Sequence, residues 1–203
     1  TNGTHEIKRD EWDIVVYEFL KFVRLLIQGN PNVLCTMWLP DKSVLWKNEA
    51  WDLLLENRQL FVGRHVYRSF MGYAFGQLHR MTHGAQLGYM GEKRKELVEK
   101  FGYDTKNAAT CIRLLRMSIE FLKDGQMYIE RYDAAQLLEI KRGEWTLEQV
   151  KSEADRLLAA AELAYTNSML PAGPDLEKIR ELVPQIIYQE WYNRGTSILP
   201  SLS

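Results

Sequence analysis

The stretch His5 to Tyr17 closes on Asp13-Ile14-Val15-Val16-Tyr17, a β-branched run that predicts one short strand. From Glu18 the period changes. Phe19, Phe22, Val23, Leu26 and Ile27 recur at helical spacing until Gly29-Asn30-Pro31 stops the helix. A carboxylate therefore opens a strand that runs directly into an amphipathic helix. A further apolar segment covers Val33 to Leu39, and Pro40-Asp41-Lys42 reads as a loop. One strand is not stable alone, and the pattern shows no obvious partner for it in this chain.

Downstream the pattern is helical. Asn48 can cap a helix over Ala50 to Asn57. Val62 to Met81 reads as a long helix rich in aromatics (Tyr67, Phe70, Tyr73, Phe75), and Gly84 to Gly91 as a glycine-marked break. Lys93 to Phe101 is a charged helix closed by Gly102, after which Asp104 or Thr105 caps a helix reaching Leu122. Asp124-Gly125 turns into a strand-like piece, Gln126 to Glu130. Helices follow at Ala134 to Lys141, Leu147 to Thr166 and Asp175 to Tyr192, and the tail from Gly195 reads as loosely ordered. The predicted class is α+β, predominantly α-helical.

Composition narrows this picture only a little. The chain has 203 residues, enough for one domain with a sizeable core or two small ones. With 46 % hydrophobic and 26 % charged residues it is not disordered, collagen-like or of low complexity. Charge is more informative than its total of −1 suggests. Residues 1–57 hold 6 basic and 9 acidic side chains, residues 58–116 hold 11 and 4, and residues 117–203 hold 9 and 14. A basic middle between acidic flanks suits a phosphate-bearing ligand if the fold gathers it on one face. Otherwise it is a solvated helix surface whose charges pair with the flanks. Cys35 and Cys111 lack CxxC spacing and sit among apolar residues, as free thiols do in a reducing compartment. There is no signal peptide and no apolar run near 18 residues, so a cytoplasmic protein outside the membrane is expected.

Three groups could carry chemistry. Asp13 starts the only clear strand, where a carboxylate projecting from a sheet can bind Mg²⁺ together with others. It can equally be a solvent-facing strand residue. His79 and His83 are four apart, a zinc-compatible spacing, but no Glu follows His79 and a surface pair is the plainer reading. The third group lies in Gly102-Tyr103-Asp104-Thr105-Lys106-Asn107-Ala108-Ala109-Thr110-Cys111-Ile112-Arg113. Lys106 and Arg113 are seven apart on one helix face near an N-terminus, a favourable place for phosphate. Arg64 and Arg68, four apart on the aromatic helix, could add to it. Alternatively, Asp104 is only a cap and Lys106 an exposed charge.

These segments also resemble a family. Asp13-Ile-Val-Val-Tyr-Glu-Phe-Leu-Lys21-Phe, Gly29-Asn30-Pro31, Phe70-Met-Gly72-Tyr73-Ala74 with Gln77-Leu78, Gly102-Tyr103-Asp104-Thr105-Lys106-x-Ala108 with Arg113-Leu114-Leu115, Ser168-x-Leu170-Pro171 and Pro174-Asp175 occur in that order. They resemble the predicted nucleotidyltransferases of the DNA polymerase β superfamily linked to RNA repair. The resemblance implies transfer of a nucleotide from a nucleoside triphosphate, ATP above all, with Mg²⁺ held by three carboxylates. Asp13 matches the third of these, so it is the implied catalytic residue and metal ligand. Lys21, Tyr73, Asp104, Lys106 and Arg113 match positions near the nucleotide and its phosphates, and Arg64 joins them as a candidate phosphate contact.

The departures from that pattern matter as well. The first two family carboxylates form an Asp-x-Asp after a Gly-Ser turn, and no such motif occurs in these residues. The resemblance therefore implies that it lies upstream of Thr1 or in a partner chain, and that this chain alone is inactive. Cys35 stands where an acid is expected and Thr110 where a histidine is expected. A catalytically inactive nucleotide- or RNA-binding module is accordingly the alternative. The implied division is residues 1–40 as the end of a nucleotidyltransferase core, with a remnant of its sheet, residues 41–195 as a helical nucleotide- or substrate-binding domain, and residues 196–203 as a tail. The acceptor could be tRNA, another RNA, a protein or a small molecule.

Overall fold

The computed structural model describes residues 3–9, 11–83 and 92–196. The first element corrects the single-strand expectation. Strand β1 (Thr4–Arg9) pairs antiparallel with β2 (Trp12–Tyr17), from Thr4 opposite Tyr17 to Arg9 opposite Trp12. The partner escaped the pattern because THEIKR holds one aliphatic residue in six. Its alternation becomes visible only once the two strands are aligned. Cross-strand partners share a face. His5, Ile7, Arg9, Trp12, Ile14 and Val16 lie on one side, and Thr4, Glu6, Lys8, Asp13, Val15 and Tyr17 on the other. Ile7, Trp12, Ile14 and Val16 are between 39 % and 62 % exposed, so the apolar face of the hairpin packs on nothing among the described residues.

Helix α1 (Phe19–Ile27) follows directly and buries Val23 and Leu26. Gly29 then adopts φ +66°, and a Cβ there would stand 2.9 Å from Val66 Cγ1. Only glycine lets this turn lie so close to the helix that begins at Val66. Asn30 caps the short helix α2 (Pro31–Leu34), and a 3₁₀ turn at Cys35–Trp38 completes the apolar segment. Asn48 caps α3 (Glu49–Glu56) by accepting from the Trp51 N–H at 3.0 Å. The aromatic helix α4 spans Val66–His83, starting later than its pattern because Arg58–Phe61 form a 3₁₀ turn. The glycine-marked break at residues 84–91 lies outside the described residues.

Helices α5 (Glu92–Phe101), α6 (Thr105–Asp124), α7 (Ala134–Arg142), α8 (Leu147–Asn167) and α9 (Leu176–Thr196) complete the order. Gln126–Glu130 is not a strand. It is an extended link whose Met127 and Ile129 pack into the core, which gives strand-like alternation without a strand to pair with. Helix α9 continues past Gly195 to Thr196, and the rest of the tail lies outside the described residues.

Helix α6 lies at the centre, packed against α4, α7 and α8, while α3 packs on α9. Ile112, Leu115, Phe121 and Leu122 of α6 join Leu26, Leu34, Phe61, Phe70 and Ile140 in one core, all fully buried. Each such side chain contributes about 1.5–3 kcal/mol relative to exposure. The protein is thus α+β and mostly helical, and no helix of the described residues is long and apolar enough to cross a membrane.

One half-buried group gives the fold a pH dependence. Both ring nitrogens of His65, at the entrance to α4, are shielded from solvent and lack a hydrogen-bond partner among the described residues. Burial lowers its pKa below the ordinary imidazole value, and the nearby Ile27 backbone offsets this only in part. The unfolded chain then binds the proton more readily, so stability is full above about pH 6.5 and falls as pH drops below it. Thermal melts at descending pH should show this decline, and His65→Gln should flatten it. An unchanged slope in the variant would refute the assignment.

Candidate functional site

The Tyr103–Arg113 block folds into a latch followed by a charged face. Asp104 is fully buried at the N-cap of α6. Its Oδ1 accepts from the Asn107 N–H and its Oδ2 from Asn107 Nδ2, both at 2.9 Å. The Tyr103 hydroxyl donates to the Trp145 carbonyl at 2.6 Å, and Thr105 Oγ1 donates to the Lys141 carbonyl at 2.9 Å. These bonds tie the start of α6 to the end of α7 and the turn beyond it. The Asp104 carboxylate already occupies the helix N-terminus, so a phosphate would depend on side chains instead. Lys106 and Arg113 are both exposed, and neither forms a salt bridge among the described residues. Thr110, between them, donates to the Lys106 carbonyl at 2.9 Å.

A second contact brings distant segments together. The Asn30 Oδ1 accepts from the N–H groups of Asn32 and Val33, at 3.0 and 3.3 Å, and its Nδ2 donates to the Tyr73 hydroxyl at 2.6 Å. One amide thus caps α2 and holds a tyrosine in the middle of α4. Cys35, just after α2, donates to the Asn32 carbonyl. Burial raises its pKa, and the positive charge of nearby Arg113 pulls the other way. The Asn30 turn, Tyr73 on α4 and Arg113 on α6 therefore belong to one neighbourhood. Cys111 faces the core instead, where burial pushes its thiol up to about 11 and leaves it protonated and inert.

The remaining candidates lie elsewhere. Arg64 places its guanidinium over the Tyr165 ring, 5.8 Å from the centroid, and Tyr165 stacks on Tyr67 at 4.7 Å. Arg64 lies in the turn before α4 rather than on it, and the helix from Val66 to Tyr73 alone rises about 10 Å. Asp13 stands on the polar face of the hairpin, directly opposite Lys8. Lys21 is half-buried on α1, its Cβ 3.2 Å from the position a Cβ on Gly3 would take. His79 is exposed on α4, and the side chain of His83 lies outside the described residues. Among the described residues no group of three or more His, Cys, Asp or Glu could hold a metal.

Comparison with known families decides what this neighbourhood belongs to. The family model RlaP, described as the RNA repair pathway DNA polymerase beta family, matches residues 2–182. The chain belongs to that family. Neither curated proteins nor solved structures give a match. RlaP is a DNA polymerase β-like family, consistent with a nucleotidyltransferase and with an RNA repair pathway. The matched span includes the hairpin with Asp13, the Asn30 turn, Tyr73, the Asp104 latch, and Lys106 with Arg113. Sequence reasoning missed the Asn30–Tyr73 bond, since nothing local marks a contact across 43 residues.

Proposed function

We propose that this chain is the nucleotide-binding part of an RlaP-family nucleotidyltransferase that moves a nucleotide from ATP to an RNA acceptor, with tRNA as one candidate. The carrying observation is the convergence of Asn30, Tyr73 and Arg113 from three separate segments, with Lys106 two turns from Arg113 along the same face. Two cations with no salt bridge among the described residues can neutralise a triphosphate by charge-assisted hydrogen bonds. Tyr73 is held in place by Asn30 and can meet the nucleotide through its ring or hydroxyl.

Among the described residues no cluster of carboxylates forms a Mg²⁺ site, and Asp13 stands opposite a lysine. Mg²⁺ takes one or two carboxylates with phosphate oxygens and several waters. Two-metal transfer needs carboxylates beyond Asp13, which a further segment or a partner chain can supply. The open apolar face of the hairpin, with Trp12 62 % exposed, supports such an addition, because a two-stranded sheet needs further packing to be stable. A second reading, an inactive binding module, is favoured by Cys35, a neutral thiol beside Arg113 where the family pattern has an acid.

Calorimetric titration of this chain with ATP, with and without Mg²⁺, tests both readings. Saturable binding is expected, weakening as salt rises. A gain on adding Mg²⁺ that disappears in Asp13→Asn favours the enzyme. Equal affinity in both conditions removes a metal role for Asp13 in this chain by itself, as the inactive module requires. Absence of saturable ATP binding overturns the nucleotide site altogether.

A further inference from the structure

A cleft of about 620 Å³ lies between the base of the hairpin, α3 and α9. Its volume is that of a small-molecule site, commonly about 300–1,000 Å³. Tyr17, Phe22 and Trp51 form a continuous inclined aromatic wall, with ring centroids 6.2 Å apart for the first pair and 5.8 Å for the second. Trp46 and Trp191 complete the lining and are 78 % and 73 % exposed. Two such exposed indoles on one cleft leave a large aromatic surface uncovered, which marks a recognition site rather than core.

Among the described residues the charge of the cleft is one-sided. Asn48 and Glu190 supply its amide and carboxylate, and none of the described lining residues is Lys, Arg or His. Asn48 is fixed at both ends of its amide. Its Oδ1 accepts from the Trp51 N–H at 3.0 Å, and its Nδ2 donates to Glu190 Oε2 at 2.7 Å. The Glu190 carboxylate is thereby positioned beside the aromatic wall. The first turn of α3 adds Glu49 and Asp52, the latter paired with Lys47 at 3.0 Å. Aromatic faces carry negative quadrupole density, so faces and carboxylate together attract a cation and repel phosphate.

We propose that this cleft binds an organic cation, a quaternary or methylated ammonium on an apolar body, with its head against the indole and phenol rings near Glu190. The hydrophobic body is accommodated by the wall and by Ile187. The cleft is chemically opposite to the Lys106–Arg113 face, and this inference stands apart from the nucleotide reading.

The probe is choline, compared with the neutral isostere in which carbon replaces its nitrogen, at constant ionic strength. Proton–nitrogen NMR of the chain resolves the indole N–H groups. Those of Trp46, Trp51 and Trp191 should shift saturably with choline while those of Trp38 and Trp145 stay still. The isostere should bind about fivefold more weakly, the scale of a partly exposed cation–π and charge contact. Glu190→Gln should weaken choline about fivefold and leave the isostere unchanged. Trp191→Ala, at a largely exposed position, should weaken both. Equal affinity for choline and isostere overturns the proposal in favour of a plain apolar slot. No saturable shift of the cleft indoles also overturns it. So does concentration-dependent broadening of those same indoles that choline does not relieve, since the occupant is then a second copy of the chain.

Discussion

Replacing Asp133 with alanine should lower the melting temperature by about 10 °C. Asp133 sits at the start of α7 and receives Arg116 Nη1 on one oxygen and Arg131 Nε on the other, both at 2.8 Å. Arg131 also clasps Glu120 through two nitrogens, Arg116 reaches Glu153 at 2.9 Å, and Arg156 reaches Glu153 at 2.7 Å. Three guanidinium groups thus meet three carboxylates across α6, α7 and α8. The side chains of Arg131 and Asp133 are only 8 % and 7 % exposed. Removing the shared carboxylate takes one of two carboxylate partners from each of two buried guanidinium groups, which costs about 3 kcal/mol, the lower end of the range for breaking a buried pair. At about 2–4 °C per kcal/mol for a chain of this size, the shift is large enough for a single calorimetric scan.

The same network is resistant to acid. Burial alone would raise the Asp133 pKa, but hydrogen bonds from Arg131 and Arg116 outweigh it and hold the carboxyl below the ordinary carboxylate range. A group depressed in the folded state contributes its stability above the unfolded value, near pH 4, and loses it only as pH falls through the lower folded value. Asp133→Asn should therefore cost less than alanine, because the amide keeps an acceptor. A melting shift under about 2 °C for Asp133→Ala would show that the network is solvated in solution.

This network bears on function because of where it sits. Lys106, Arg113 and Glu120 are spaced by seven along α6 and lie on one stripe, drifting about 20° per step. The core packing of α6 fixes its rotation, and the Glu120–Arg131 clasp sits at the far end of the stripe that carries Lys106 and Arg113. None of this was legible beforehand. Arg131–Asp133 and Glu153–Arg156 are local pairs, but the bonds that join separate elements span 11 to 37 residues, and no periodicity marks them. The helices were legible because their signals are local. Asn48 and Asp104 each sit one residue before an apolar repeat and do cap, and Gly102 does close the preceding helix. The hairpin was half legible, since β2 is β-branched and β1 is not. At the candidate site, residue types and motif order were readable, but their meaning was not always so. An aspartate before a helix can face solvent or fold onto its own first turn. Asp104 does the second, and only the packed structure separates the two.

Converting both Lys106 and Arg113 to alanine should lower ATP affinity about 100-fold at low salt. A hydrogen bond to a charged group contributes about 1.5–3 kcal/mol where it is shielded. These side chains are exposed, so about 1.4 kcal/mol each, a factor of ten, is the reasonable scale. The fold should not respond, because neither residue has a salt bridge among the described residues and both point into solvent. The melting temperature therefore separates a binding defect from a folding defect. Salt provides a second discriminator. Raising ionic strength should weaken the unmodified chain steeply and the double variant little, since the screened charges are already gone. Arg64→Ala is the informative comparison. Its guanidinium rests on Tyr165 rather than beside Tyr73, so its removal should change ATP affinity by less than about threefold. If Arg64→Ala matters as much as the double variant, the triphosphate lies at the Tyr165 end of α4. Asn30, Tyr73 and Arg113 are then a packing cluster rather than the nucleotide site.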